Sequence, residues 1–318
     1  MSTSEPSNKS LRDSHNTHIA KRIAIARVLI INVRMSDFFM RIVYMDVSKE
    51  DVASLIMCGF TGSRVSQQTV KDAAELLKQR KVGGFIVTGS GLGKNFGAES
   101  LLIELGALMQ SSPPDGLAAL ISVDMEGGSR QPLQDAQGFD VINSAATMPD
   151  AVTGTATTEY QSIARQLRKC GITWNFAPVV DTKVDGNPVI SGLDRAFSAD
   201  VNTITEYANI VVAKHRDNDV LTCLKHFPGH GSTVGLDTHH GGVDISTTWN
   251  ESELEPYKSV ACPAVMLGHL SIDYDENTRP WGDSVYPASL SKNIIDNLLR
   301  DEDGIDFQGL VISDALEM

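Results

Sequence analysis

The chain has 318 residues, of which 42% are hydrophobic and 21% charged, and it carries a formal net charge of −13. Such a composition excludes a largely disordered chain, and its acidic balance opposes sustained contact with nucleic acid or an anionic membrane, whose phosphates would repel it. The length suits one large α/β domain, and a neutral small molecule is the ligand class the charge favours.

In chain order, the opening MSTSEPSNKSLRDSHNTH is polar and lacks the charged-then-apolar sequence of a signal peptide, so the expected location is cytoplasmic. The apolar run at 23–33 (IAIARVLIINV) contains Arg27 and is about half the ~20 residues needed to span a bilayer. Residues 1–50 therefore read as an N-terminal extension with the composition of a mobile terminus, and 51–318 as the folded domain. Cys58, Cys170, Cys223 and Cys262 are scattered and form no C-x-x-C, so reduced thiols are expected rather than a disulfide framework or a zinc ribbon.

From about residue 52, short β-branched runs alternate with helical stretches. The strand candidates are 55–60 (LIMCGF), 84–87 (GFIV), 117–123 (LAALISV), 172–177 (ITWNFA), 220–226 (VLTCLKH), 264–269 (AVMLGH) and 310–313 (LVIS). Between them lie 70–80, 100–110, 159–170, 204–216 and 291–300, each with apolar residues recurring at three- and four-residue steps. About seven βα units in this order predict an α/β fold of the (β/α)8 TIM-barrel type, incomplete at the C-terminus. An open doubly wound sheet is the competing arrangement. The clue that favours the barrel is that Asp124, Lys225, His226, His269 and Asp314 each fall at or just past the end of a predicted strand. There a side chain is held by the ladder yet escapes the packed interior.

The densest motif is KHFPGHGSTVGLDTHHG, residues 225–241, whose glycines and Pro228 forbid a helix. Asp237 and His239 stand two apart, so a turn can set the carboxylate against one imidazole nitrogen and leave the other to exchange a proton near neutral pH. A surface turn with a casual ion pair is the plainer alternative. A metal site built on His226, His230, His239 and His240 is a third, weakened because Pro228 and Gly229 break the helical face an i, i+4 pair would need.

Asp314, ending GLVISDALEM, is either a nucleophilic carboxylate or a helix cap. Asp124, in ISVDMEGGSRQPL, is either an acceptor for sugar hydroxyls or a cap. Arg195 either forks onto a substrate oxygen or pairs with its neighbour Asp194. The glycine-rich 89–94 (GSGLGK) lacks the first glycine and the final hydroxyl of a phosphate-binding loop and reads as a βα connection. Glu253 lies outside every motif and reads as an inert control position.

Taken together, LIMCGF, VGGFIV, VDMEGG, GITWNFAPVVD, NPVI, DRAFS, KHFPGHG, DTHHG, PASLS and VISDALEM resemble, in order, glycoside hydrolase family 3, and within it the β-N-acetylhexosaminidase branch. The resemblance implies a catalytic barrel over 51–318, truncated after strand seven. It further implies Asp314 as nucleophile, His239 as acid/base assisted by Asp237, and a sugar held by Asp124, Arg195, Lys225 and His226 with His269 nearby. Implied too are hydrolysis of terminal β-linked N-acetylhexosamine from small glycosides with retention, a small carbohydrate as partner, and no cofactor or metal. The β-glucosidase branch takes its acid from a glutamate on a separate domain, whereas the D-x-H loop selects the hexosaminidase branch.

The chain departs from the family pattern at Pro132, where an arginine is usual and Arg130 is displaced by two positions, and at Ser232, where an aspartate is common. The stretch PVISGL before Asp194 is longer than usual. Three alternatives stay open: a phosphorylase, since a neutral histidine does not repel incoming phosphate; a sugar-binding protein without turnover; and a metal-dependent hydrolase.

Overall fold

The computed structural model describes residues 49–60, 64–87, 98–113, 118–134, 138–238, 242–274 and 286–316. The expectations placed on residues 1–48, on the glycine-rich 89–94 and on His239 and His240 lie outside the described residues.

A short helix, α1 (Lys49–Ala53), leads into β1 (Met57–Gly59), and α2 (Gln68–Lys78), β2 (Gly84–Ile86), α3 (Ala98–Ser111), β3 (Leu120–Val123), α4 (Thr155–Lys169) and β4 (Trp174–Asn175) follow. The chain continues through α5 (Val201–Arg216), β5 (Leu224–Phe227), β6 (Val243–Asp244), α6 (Glu255–Ser259), β7 (Ala264–Leu267) and β8 (Leu270–Ser271). A π-helix over Ile294–Arg300 precedes β9 (Leu310–Ser313). Each of the seven expected strands overlaps an observed one: 310–313 matches β9, five are trimmed, and β5 starts later and runs one residue past the expected end to Phe227, so Lys225 and His226 lie inside it. β6 and β8 are additions too short to leave a periodic signal.

All pairings between named strands are parallel, in the order β1-β2-β3-β4 and β5-β7-β9. Parallel bridges Trp174 to Leu221 and Val179 to Lys225 join the two sheets. Seven strands thus follow one another, each separated from the next by helical or irregular chain, as parallel pairing requires.

The alternation of side chains shows how this sheet is shaped. One set, Met57, Ile86, Leu120, Trp174, Leu221, Cys223, Ala264, Met266, Leu310 and Ile312, packs into a single cluster drawn from six strands and the residues leading into β5, including both ends of the order. The opposite set, Phe85, Ile121, Val123, Val265 and Leu267, packs with helix residues such as Leu77, Leu105, Ile163 and Val211. A sheet whose first and last strands share one interior cluster is curled, with helices outside, which is a TIM-barrel-like arrangement. Among the described residues β9 and β1 are not hydrogen-bonded to each other.

α4 and α5 lie against each other on the outer layer. α5 is well terminated: the Asp200 carboxylate accepts from the Asn202 and Thr203 amides, and Lys214 and Arg216 oppose the carbonyl end. β6 and β8 pair apart from the main sheet, Val243 with Leu270 and Asp244 with Ser271, and the Ile245 amide extends the ribbon by donating to the Ser271 carbonyl. The four cysteines form no disulfide. Among the described residues no helix is long and apolar enough to cross a membrane.

Candidate active site

Parallel strands put all their C-terminal ends on one rim, and the polar residues gather there. Asp124 follows β3, and Met125 and Glu126 continue its direction. The backbone of Met125 is held on both sides by the Asn175 side chain of β4, whose Oδ1 accepts the Met125 amide at 2.9 Å and whose Nδ2 donates to the Met125 carbonyl at 3.1 Å. The same Nδ2 meets His215 Nε2 of α5 at 3.0 Å. Burial pushes His215 down to about 4, so at neutral pH the ring is uncharged and accepts from the amide.

Fixed in this way, Asp124 and Glu126 face Lys225 of β5. Lys225 Nζ lies 2.6 Å from Asp124 Oδ1 and 2.8 Å from Glu126 Oε1. Arg195, from the loop after β4, closes a fork on Glu126, with Nε 2.8 Å from Oε2 and Nη2 2.9 Å from Oε1. Burial alone would raise the Glu126 pKa, but the adjoining Arg195 and Lys225 charges outweigh it and hold the carboxyl well below its usual range. Burial would likewise lower Lys225, yet Asp124 and Glu126 raise it. The four groups form a salt-bridge network, buried except at Asp124, whose side chain is 42% exposed and faces outward.

His226 sits beside this network. Its Nδ1 lies 2.7 Å from Asp181 Oδ2, while Asp181 Oδ1 accepts the backbone amides of His226 at 3.0 Å and His230 at 2.8 Å. Burial opposes the charge of Asp181, but the interactions with His226 and His230 prevail and lower its pKa. An ionised Asp181 fixes the tautomer with the proton on Nδ1, leaving the His226 Nε2 lone pair 3.4 Å from Arg195 Nη2. His230 turns the other way: Nδ1 meets Thr233 Oγ1 at 2.9 Å and Nε2 meets Thr238 Oγ1 at 3.4 Å, and burial pushes the ring down to about 4. Among the described residues no group of three His, Cys, Asp or Glu is arranged to hold a metal ion.

Across the rim, Asp314 follows β9 and is half-buried; its amide donates to the Leu267 carbonyl at 2.9 Å, continuing the β7 ladder. His269 tethers the next residue, its Nε2 lying 2.7 Å from the Ala315 carbonyl, while Ser289 Oγ lies 2.7 Å from Nδ1. Cys223 belongs to the interior cluster of the curled sheet, where burial, with Cys262 beside it, raises its thiol. Asp314 directly follows β9 as Asp124 directly follows β3, so both stand at C-terminal strand ends of the parallel sheet. Asp237 is half-buried in the loop after β5.

The structure thus brings Asp124, Arg195, Lys225 and His226 into one network and puts His269 against the backbone beside Asp314. Arg195 pairs with Glu126, 69 residues away, rather than with Asp194, which is exposed in a left-handed turn at φ 55°. Sequence reasoning did not assign Glu126 or Asp181. Glu126 was within reach of it, because a residue two past Asp124 shares its face if the strand direction continues. Glu253, read as inert, is 2% exposed and bonded to the loop after β5. Its position in a short 3-10 turn, Glu251–Leu254, left no signal in the motifs.

The model of the glycosyl hydrolase family 3 N-terminal domain matches residues 47–318. The chain belongs to glycosyl hydrolase family 3. Among curated relatives, it is 36% identical over 269 residues to the β-hexosaminidase LpqI of Mycobacterium bovis, aligning 79% of this chain with 63% of that protein. It is 30% identical over 280 residues to a β-hexosaminidase of Xanthomonas oryzae pv. oryzae, covering 83% of this chain and 75% of the relative. The chain therefore spans less than two thirds of the length of the mycobacterial relative. Among solved structures, it is similar to a family 3 β-N-acetylglucosaminidase from a Paenibacillus species (TM-score 0.70, 31% identity, 85% of this chain and 49% of that one). It is also similar to NagZ from Neisseria gonorrhoeae in complex with N-trifluoroacetyl-D-glucosamine (TM-score 0.67, 25% identity, 82% and 74%). These family 3 neighbours support the TIM-barrel-like reading of the curled sheet.

Proposed function

We propose that the protein hydrolyses terminal β-linked N-acetylhexosamine, N-acetylglucosamine foremost, from small glycosides with retention of configuration. The observation that supports this reading is that Asp314 directly follows β9 while the Asp124–Lys225–Arg195–His226 network gathers where β3 ends, on the rim formed by parallel strands. The β-hexosaminidase relatives and the N-acyl glucosamine in the NagZ neighbour support the sugar class. A barrel carrying about seven βα units, as in residues 51–318, is the form of the catalytic domain this proposal concerns.

Each group has a role that its surroundings suit. Half-exposed Asp124, fixed by Lys225, accepts hydrogen bonds from sugar hydroxyls; Arg195 and His226 Nε2 border the same space and bind the sugar alongside it. Asp314 attacks the anomeric carbon while protonated His239, steered by Asp237, gives its proton to the leaving oxygen. In the second half, neutral His239 takes a proton from water, which displaces Asp314 and releases the sugar with net retention. His269 sets the backbone after Asp314 and so aims the nucleophile. None of these steps calls for a cofactor.

The test is release of p-nitrophenol from its N-acetyl-β-glucosaminide. Asp314→Ala is expected to abolish turnover, by about 10³-fold or more, while N-acetylglucosamine still binds. Turnover by Asp314→Ala at the wild-type rate would remove the assignment. Repeating the assay in phosphate separates the phosphorylase alternative, which yields the sugar phosphate instead of free sugar.

A further inference from the structure

The 3-10 turn Glu251–Leu254 lies on a segment that follows β6, outside the main sheet, yet its side chains reach back under the loop after β5. Asn250 caps the turn by accepting the Ser252 amide, which directs Glu253 inward. Glu253 Oε2 accepts the Gly231 amide at 3.1 Å, Oε1 accepts the Ser232 hydroxyl, and Thr182 donates to the same carboxyl. Two neighbours on the segment act in parallel: Thr248 Oγ1 donates to the Ser232 carbonyl at 2.9 Å, and Trp249 Nε1 donates to the Pro228 carbonyl at 3.1 Å. The loop has been kept bare where Glu253 lies. A Cβ at Gly229 would come within 2.5 Å of Glu253 Oε2, and one at Gly231 within 2.3 Å of Thr182 Oγ1.

We propose that Glu253 is a positioning residue that clamps the Gly231–Ser232 turn and thereby fixes the path of the loop toward Asp237. The turn leads directly into Thr233, which donates to the His230 carbonyl and accepts from Asn187, and the His230 ring in turn meets Thr238, the residue after Asp237. A bracket at 231–232 is thus transmitted through two packed side chains to the residue beside the D-x-H carboxylate. Glu253 touches neither the Asp124–Lys225 network nor Asp314, so it acts on the loop and not on the sugar-binding groups. The catalytic part of this inference rests on the hydrolase reading; the clamp itself does not.

Two variants test it in the intact protein. Glu253→Asp keeps a carboxyl group but draws it back by one methylene, out of reach of the Gly231 amide, whereas Glu253→Gln keeps the length and an acceptor oxygen for that amide. Amide hydrogen exchange over 229–238, N-acetylglucosamine binding by calorimetry and turnover of the p-nitrophenyl glycoside are measured for both. The expected result for Glu253→Asp is faster exchange confined to the loop and a kcat lower by about 100-fold, the order a misplacement near 1 Å brings, with KM and sugar affinity within about threefold of wild type. Glu253→Gln is expected to recover most of the rate. Unchanged loop exchange in Glu253→Asp overturns the proposal, and so does a fall in sugar binding equal to the fall in kcat. If the wild-type protein itself shows no turnover, the hydrolase reading fails while the exchange measurement still decides whether Glu253 clamps the loop.

Discussion

Replacing Glu126 by glutamine probes the buried network most directly. The carboxylate accepts two bonds from Arg195 and one from Lys225, and it is 8% exposed, so water does not substitute for it. Glutamine keeps the shape but offers one acceptor oxygen and an amide donor that must face a cation, leaving two positive groups with half-exposed Asp124 as their sole nearby anion in the network. Removing one partner from a buried ionic cluster costs about 3–5 kcal/mol, which in a chain of this length lowers Tm by about 4–7 °C. Urea unfolding followed by tryptophan fluorescence measures the loss. The sign with pH is fixed as well: the Glu126 pKa is held below its unfolded value, so its contribution is complete above about pH 4.3 and fades as pH falls further. The gap between wild type and Glu126→Gln is therefore constant from pH 8 to about 5.5 and narrows below 4.3. A loss under about 1 kcal/mol, or a gap that widens on acidification, would refute the network's charged, buried description.

Other outcomes follow from the same geometry. Asn175→Ala leaves the Met125 amide and carbonyl without their side-chain partner and is expected to cost about 2–3 kcal/mol by chemical denaturation, with weaker sugar binding because Asp124 loses its support. His269→Ala frees the Ala315 carbonyl and is expected to lower kcat about 100-fold with little change in KM, measured by steady-state kinetics. Between about pH 4.5 and 6.5 the unfolded chain binds protons that buried His215 and His230 refuse, so stability falls as pH falls. Glu253, pushed up to about 7 by burial and by Asp181, opposes this with one proton bound in the folded state. Denaturation across this range is expected to show a net uptake on unfolding of about one proton for wild type and about two for Glu253→Gln.

What the sequence made legible is what strand ends and glycine-rich loops advertise. Asp124 and Asp314 directly follow β3 and β9 and His269 lies two residues past β7, as their spacing predicts, whereas Lys225 and His226, expected at a strand end, lie inside β5. The partners that give the site residues charge state and orientation could not be read from spacing, because the contacts join distant positions: Arg195 to Glu126 over 69 residues, His226 to Asp181 over 45, Ser232 to Glu253 over 21. Asp194, adjacent to Arg195 in sequence, looked the natural partner and is not, since its left-handed backbone turns it to solvent. Propensity also missed β6 and β8, whose two-residue length carries no period, and gave no hint that 294–300 winds as a π-helix.

The β6–β8 ribbon has a mechanical meaning. The loop after β5 rejoins the body at Val243–Asp244, and those residues are stitched to Leu270–Ser271, directly past the histidine that grips the backbone beside Asp314. The far end of the loop and the backbone beside Asp314 are thus joined through one short ribbon, so displacing either strains the Val243–Leu270 or Ile245–Ser271 contacts.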